Sequence, residues 1–240
     1  MSIAIIIPAF KEADNIEKLI FSILKVLNDP IIIIIDDSPD RETEEKIKAF
    51  NNIRYIYRGQ KLGRGSAVIE GMRNLINEKE IDKIIEMDAD LSHDPNEIQN
   101  NLKIFERDNL DLLISSRYLK DSRITNWSLR RRIFSILSNS LAKFVLKIPI
   151  TDFTNGFRIY SKDSIGHIVA NCGKIGDGFI ILSEILVELY FNNFKIGEVR
   201  STFNNRMRGE SSVNLKLILD SFFGLFKVYK RKKEIISKTN

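Results

Sequence analysis

The sequence predicts an α/β domain in which a parallel sheet carries helices on both faces. Two observations predict it. The first half alternates short β-branched runs with longer amphipathic stretches. The runs at 3–7 and 31–35 are apolar throughout rather than at every second position, as strands buried on both faces require. With 240 residues, 43% of them hydrophobic and 29% charged, the chain is long enough to bury a core and too apolar to be disordered.

In order along the chain, residues 3–8 read as the first buried strand. Residues 15–27 follow as a helix with Ile16, Leu19, Ile20, Ile23, Leu24 and Leu27 on one face. Residues 31–35 are too short and too β-branched for a helix and form the second strand, and 53–57 form the third. A helix begins near Gly65, a strand covers 83–87, another helix opens at Pro95, and a strand covers 112–115. The second half changes character. Residues 128–147 give a long helical pattern whose apolar face is Leu129, Ile133, Ile136, Leu137, Leu141, Phe144 and Val145. Strands at 157–160 and 196–199 flank a helix at 179–191, and a tail helix at 215–236 is apolar first and basic later. No repeat, low-complexity tract or linker divides these elements, so residues 1–240 are expected to form one domain.

Net charge is modest: 37 Lys and Arg against 32 Asp and Glu give +5. Its distribution is more informative. No acid stands between Arg123 and Lys147, and after Asp220 the only acid is Glu234. Such patches suit phosphate groups, anionic lipid or nucleic acid. Single Cys172 excludes an internal disulfide and reads as a structural thiol in a reducing compartment. The N-terminus has no signal-peptide pattern, and no apolar run reaches the roughly 20 residues that span a bilayer. The expected location is therefore cytoplasmic, peripheral on the cytoplasmic face of a membrane.

The sharpest chemical signal is Met87-Asp88-Ala89-Asp90. Carboxylates two apart at a strand end point to one side, where both can share a divalent cation with the phosphates of a nucleotide, the ligand set that Mg²⁺ or Mn²⁺ prefers. An isolated Asp-x-Asp is more often a solvated loop; the strand before it and the helix start at Pro95 after it favour the metal reading. Asp36-Asp37 closes the second strand and reads either as a hydrogen-bonding site for a base or ribose or as turn chemistry. Phe10 and Glu12 lie at the same sheet edge, with core packing the alternative for Phe10. Gly59, Gly63 and Gly65 fit no phosphate-loop spacing and are expected to allow a tight turn into the next helix.

Further segments join these in a fixed order: Lys61-Leu62-Gly63-Arg64-Gly65-Ser66-Ala67, Leu91-Ser92-His93-Asp94-Pro95, Ser116-Arg117-Tyr118, and Trp127 with the arginines behind it. Asp152-Phe153-Thr154-Asn155-Gly156-Phe157-Arg158 and Arg206-Met207-Arg208-Gly209-Glu210-Ser211 complete the series. Together they nearly span the chain and resemble the family 2 glycosyltransferases, in particular the dolichyl-phosphate (polyprenyl-phosphate) mannosyltransferases. The resemblance implies a GT-A fold, a Rossmann-like mixed sheet with C-terminal amphipathic helices added. It implies inverting transfer of mannose from GDP-mannose to a polyprenyl phosphate. It assigns Pro8, Phe10, Glu12, Ile35 and Asp37 to the nucleoside, and Asp88, Ala89 and Asp90 to the diphosphate, with Mg²⁺ or Mn²⁺ on Asp88 and Asp90. Arg117 and Arg206 would contact phosphates, and residues 1–120 and 121–240 become the donor half and the acceptor- or membrane-facing half. The acidic turn after Ile35 is one residue shorter than the usual family form, which leaves the choice of base open, and Ser212 stands where the family often has lysine, which would remove one donor contact.

Asp90 and Arg117 are the expected catalytic residues, and Asp152 is the base candidate for a hydroxyl acceptor or else a carboxylate orienting Arg158. A phosphate acceptor is already anionic and needs no base. His93 is expected to brace the metal loop. Trp127 with Arg130, Arg131 and Arg132, and Phe222, Phe223, Leu225 and Phe226 ahead of Lys230, pattern as membrane-facing helices; the alternative buries both apolar faces in the core. Two rivals to the mannosyl reading are transfer from a UDP-sugar and a nicotinamide-dependent oxidoreductase, the latter opposed by the missing Gly-x-Gly-x-x-Gly. A nucleic-acid-binding module would leave Asp88 and Asp90 idle, so no nucleic-acid partner is expected.

Overall fold

The isoleucine runs of the first 35 residues become two deeply buried strands, because branching at Cβ stiffens the side chain and suits the pleat. The computed structural model of the protein describes residues 2–176, 178, 180–205 and 215–239. In it β1 (Ser2–Ala9) pairs in parallel with β2 (Ile31–Asp36) and with β4 (Ile81–Glu86), and β3 (Ile53–Tyr57) adds to β2. With β5 (Leu112–Ser116), β7 (Arg158–Ser161) and β8 (Ile196–Arg200) the sheet has seven strands in the order β3-β2-β1-β4-β7-β5-β8.

Helices cover both faces. α1 (Ala13–Val26) and α4 (Ile98–Arg107) bury Ile16, Leu19, Leu102 and Phe105 against Ile5, Ile7, Ile85 and Leu113. α3 (Arg64–Leu75), α6 (Lys162–Asn171) and α7 (Ile180–Phe191) pack on the opposite face, where Ala4, Ile6, Ile33 and Ile114 point. The two faces of β1 thus take alternate residues, as the pleat dictates. Gly71 lets α3 approach β1 closely: a Cβ there would lie 2.6 Å from Ile6 Cγ2.

The structure corrects the all-parallel pattern at one strand. β7 runs antiparallel to both β4 and β5, while β5 and β8 pair in parallel. The sheet is therefore mixed, and the start of β7 lies at the edge where β1, β2, β4 and β5 end. Periodicity is blind to strand direction, which the connection through α5 (Leu129–Leu146) sets instead. Short elements that the pattern did not reveal are α2 (Glu42–Ile47), α6, and the ribbon of β6 (Arg123–Ile124) with β9 (Thr202–Phe203). The helix expected from Pro95 starts as a 3₁₀ turn, with Asp94 accepting from the Asn96 amide as its cap.

The long helix of the second half is present, but its apolar face is not buried. Leu129 is 72% exposed, Leu137 62% and Phe144 80%; Ile133, Ile136 and Leu141 are exposed as well, and Ala142 and Leu146 carry the packing. Trp127 is half-buried, set edge-on against Phe203 and covered by Arg131, so it faces inward rather than standing free beside the arginines. The tail helix α8 (Leu215–Thr239) combines both expectations: Leu225, Val228 and Ile235 are buried while Phe223 and Phe226 are exposed. Phe222 lies outside the residues whose side chains are described. Among the described residues, no helix is long and apolar enough to cross a membrane.

Candidate functional site

Strand order reverses on either side of β1, and in α/β sheets the crevice beyond the carboxyl ends at such a point is where ligands bind. A cleft of about 260 Å³ opens there, lined by Pro8, Phe10, Glu12, Asp37, Lys61, Gly63, Arg64, Asp88, Ala89 and Asp90, among others. Seven residues expected to hold a nucleotide and its diphosphate therefore share one wall, though they come from the ends of three strands.

Ile35 does not share it. Its side chain is fully buried, in the cluster that packs on α3, and only its backbone reaches the sheet edge. The two faces of a strand alternate, and Ile35 falls on the same face as Ile33, which packs in that cluster.

The acidic turn divides its labour. Asp36 is fully buried and does turn chemistry, its Oδ1 accepting from the Ser38 amide at 2.9 Å and its Oδ2 from the Tyr55 hydroxyl at 2.9 Å. Asp37 organises the opposite lip of the cleft. Its Oδ1 accepts from Arg58 Nε at 2.5 Å, and its Oδ2 accepts from the amides of Leu62 at 2.9 Å and Gly63 at 2.8 Å. Gly59 and Gly63 take positive φ angles of 66° and 97°, the turn function expected of them. The loop they shape sets Lys61 Nζ 4.6 Å from the centre of the Phe10 ring.

Asp88 and Asp90 follow β4, which ends at Glu86. Arg64, the first residue of α3, donates from Nε to Asp88 Oδ1 at 2.8 Å and sets Nη1 2.6 Å from Glu86 Oε1. Glu86 is fully buried and also accepts from the Tyr160 hydroxyl at 2.7 Å. Burial by itself would lower the Arg64 pKa, but the charges of Asp88 and Glu86 reverse that and raise it, so this guanidinium stays charged. Asp90 accepts from the Ser92 amide at 3.1 Å. His93 braces the loop: Nδ1 accepts from the Asp88 amide at 3.2 Å, and Nε2 lies 3.0 Å from Asn155 Oδ1. These contacts require the neutral tautomer protonated at Nε2. The ring stacks on Phe157 at 5.4 Å.

No group of three or more His, Cys, Asp or Glu side chains forms a protein-only metal cage among the described residues. A hard divalent ion held by one or two carboxylates and completed by substrate phosphates needs no such cage. Asp88 and Asp90, both on the cleft wall, fit that shared arrangement.

Because β7 is antiparallel, the loop before it reaches the same edge. Asp152 is fully buried, and Arg117 grips it in a bidentate pair, Nε to Oδ2 and Nη2 to Oδ1 at 2.8 Å each. Oδ1 also accepts from the amides of Thr154 and Asn155. Burial would raise the Asp152 pKa, but the Arg117 charge and these donors carry it below the usual value of 3.8. The carboxylate is thus a poor base, and its partner is Arg117 rather than Arg158. Arg158 spends its fork on the carbonyls of Asn155, Leu182 and Phe153. Arg117 is 8% exposed and boxed by Trp127, Phe203 and Tyr118, each ring centre 5.3 to 5.5 Å away. It stands beside the cleft as a fixed charge and is not part of its wall. Arg206 lies outside the described residues.

Arg58 carries no signal in the sequence, and Arg64, Asn155 and Gly156 stand within its motifs without a role of their own. The Gly63-Arg64-Gly65 triplet was the available signal; what it lacked was a partner, because Glu86 and Asp88 are brought to Arg64 only by folding.

The Glycosyl transferase family 2 model matches residues 4–169. The chain is 33% identical to a dolichol-phosphate mannosyltransferase of Pyrococcus furiosus over 98% of its own length and 66% of the relative's. It is 27% identical to a polyprenol monophosphomannose synthase of Mycolicibacterium smegmatis, covering 91% of this chain and 83% of that one. Among solved structures it resembles glucosyl-3-phosphoglycerate synthase of Mycobacterium tuberculosis, solved with Mn²⁺, UDP and phosphoglyceric acid. The TM-score is 0.69 at 17% identity, over 95% of this chain and 78% of that one, a likeness of fold.

Proposed function

This chain belongs to glycosyl transferase family 2, and from that premise we propose that it moves mannose from GDP-mannose to a polyprenyl phosphate at a membrane surface, with Mg²⁺ or Mn²⁺ as cofactor. The observation that carries the reading is the single cleft that gathers Asp88, Ala89, Asp90, Glu12, Phe10, Pro8 and Asp37 at the carboxyl ends of β1, β2 and β4. The names of the two relatives support the sugar and the acceptor class.

Asp88 and Asp90 would hold the ion, which when bound supplies Lewis-acid neutralisation of the departing diphosphate. The rest is done by the protein's own groups. Phe10, under Lys61, offers a flat apolar face to the nucleoside. Asp37 holds the 61–63 loop so that the cleft keeps its width. Asp152 fixes Arg117 in one orientation, and preorganised positive charge beside a leaving phosphate is the term that usually dominates such reactions. A phosphate acceptor arrives already anionic, which matches a site whose buried carboxylates are engaged and whose His93 is a brace.

The membrane role rests on α5. Leu129, Leu137 and Phe144 are exposed on a helix whose polar positions include Arg130, Arg132 and Lys143 and no acid. An apolar stripe bordered by cations seats a helix at the headgroup level. The donor decides between this reading and UDP-sugar transfer, which the shortened acidic turn keeps in view. In a screen of GDP- and UDP-sugars against short polyprenyl phosphates with Mn²⁺, GDP-mannose should be used best, and GDP should raise the melting temperature more than UDP. Turnover with UDP-sugars alone rejects the mannosyl assignment.

A further inference from the structure

Arg64 has a placement that its sequence neighbours do not explain. Its guanidinium lies between two carboxylates of β4 and the segment after it, 2.6 Å from Glu86 Oε1 and 2.7 Å from Asp88 Oδ1. Room for it is made by Gly156, where a Cβ would fall 1.8 Å from Arg64 Nη2 and 3.3 Å from Asp88 Oδ1. Gly156 does not sit at positive φ, so the backbone does not require glycine there; the approach of Arg64 does. The guanidinium is nearly closed off from solvent, with its side chain 13% exposed, yet it lines the cleft.

We propose that Arg64 is a positioning residue that makes divalent-ion binding at Asp88 and Asp90 conditional on a bound diphosphate. This rests on the reading of Asp88 and Asp90 as the ion-holding pair. Without nucleotide, Asp88 Oδ1 is already occupied by a cation, and a divalent ion has to share that carboxylate with a fixed like charge where water screens poorly. A diphosphate brings enough negative charge to outweigh the repulsion, and Arg64 attracts it. With a diphosphate bound, Arg64 divides its charge between Asp88 and the phosphates, so the residue that opposes the ion alone opposes it less when nucleotide is present. By linkage, the ion must raise nucleotide affinity by the same factor. In functional terms the site fills in a coupled step, and the protein carries little metal between turnovers.

The test is Mn²⁺ binding followed by the electron paramagnetic resonance of the free ion, on the full chain, with and without saturating GDP or UDP. In the wild type, nucleotide should tighten Mn²⁺ binding by about tenfold or more. Arg64→Gln should tighten nucleotide-free Mn²⁺ binding by about tenfold and shrink the nucleotide effect. Gly156→Ala, which pushes the guanidinium off Asp88 but keeps its charge, should move both in the same direction. Arg64→Lys should retain most of the coupling. Circular dichroism and melting curves establish that each variant is folded; should Arg64→Gln not fold, Gly156→Ala and Arg64→Lys carry the decision. Nucleotide-free affinity within twofold of wild type in folded Arg64→Gln or Gly156→Ala overturns the proposal, whereas Arg64→Lys, which keeps the charge in place, is the variant expected to stay close to wild type. An Asp90→Ala variant that binds Mn²⁺ like wild type under every condition overturns the ion site beneath it as well, a separate and distinguishable failure.

Discussion

Arg117 and Asp152 lie 35 residues apart in sequence and form a buried two-point ion pair, with Nε–Oδ2 and Nη2–Oδ1 both at 2.8 Å. The pair ties the end of β5 to the loop that enters β7. Removing one partner leaves the other charge buried and uncompensated. Arg117→Ala should therefore cost about 3–5 kcal/mol of stability, read from urea unfolding at neutral pH. Since the Asp152 pKa is lowered by folding, its contribution is complete above the ordinary carboxylate range and disappears as pH falls through the depressed value. Wild type should lose stability on acidification through that range, and Asp152→Asn, already weakened at neutral pH, should lose less.

Asp90 sits on the cleft wall and accepts a hydrogen bond from the Ser92 amide. Asp90→Ala should keep a native circular dichroism spectrum, lose the Mn²⁺-dependent rise in melting temperature with nucleotide, and lower transfer by about 100-fold or more. Normal turnover by this variant would remove the site.

Leu137 and Phe144 on α5 are 62% and 80% exposed. The double change Leu137→Asp and Phe144→Asp should leave the melting temperature within a degree or two, since neither side chain is in the core. Flotation with anionic vesicles should fall sharply. If the intact wild-type chain does not float at low or moderate salt, the membrane role is wrong.

Gly71 allows α3 to settle on β1, since a methyl group in its place would lie 2.6 Å from Ile6 Cγ2 and 3.0 Å from Ile35 Cδ1. Gly71→Ala gains helix propensity but overpacks a filled interface, and overpacking of this kind costs about 1–3 kcal/mol. Equilibrium unfolding should show a net loss; a gain would mean that α3 can shift outward freely.

Local pattern was enough for the strands built from Ile3 to Ile7 and Ile31 to Ile35, the helix of Ile16, Leu19, Ile20 and Ile23, and the acidic pair after β4, because hydrophobic period and local turn chemistry are properties of neighbours in the chain. It also located the apolar stripe from Leu129 to Phe144, although whether that stripe was buried could not be read from its spacing. The direction of β7, and with it everything the 152–156 loop touches, came from the folded chain. It paired Asp152 with Arg117 rather than Arg158, sent Ile35 into the core, and slid Arg64 past Gly156 onto Glu86 and Asp88. These are contacts between residues 20 or more positions apart in most cases, and their geometry follows from sheet order and chain direction, which no local pattern encodes.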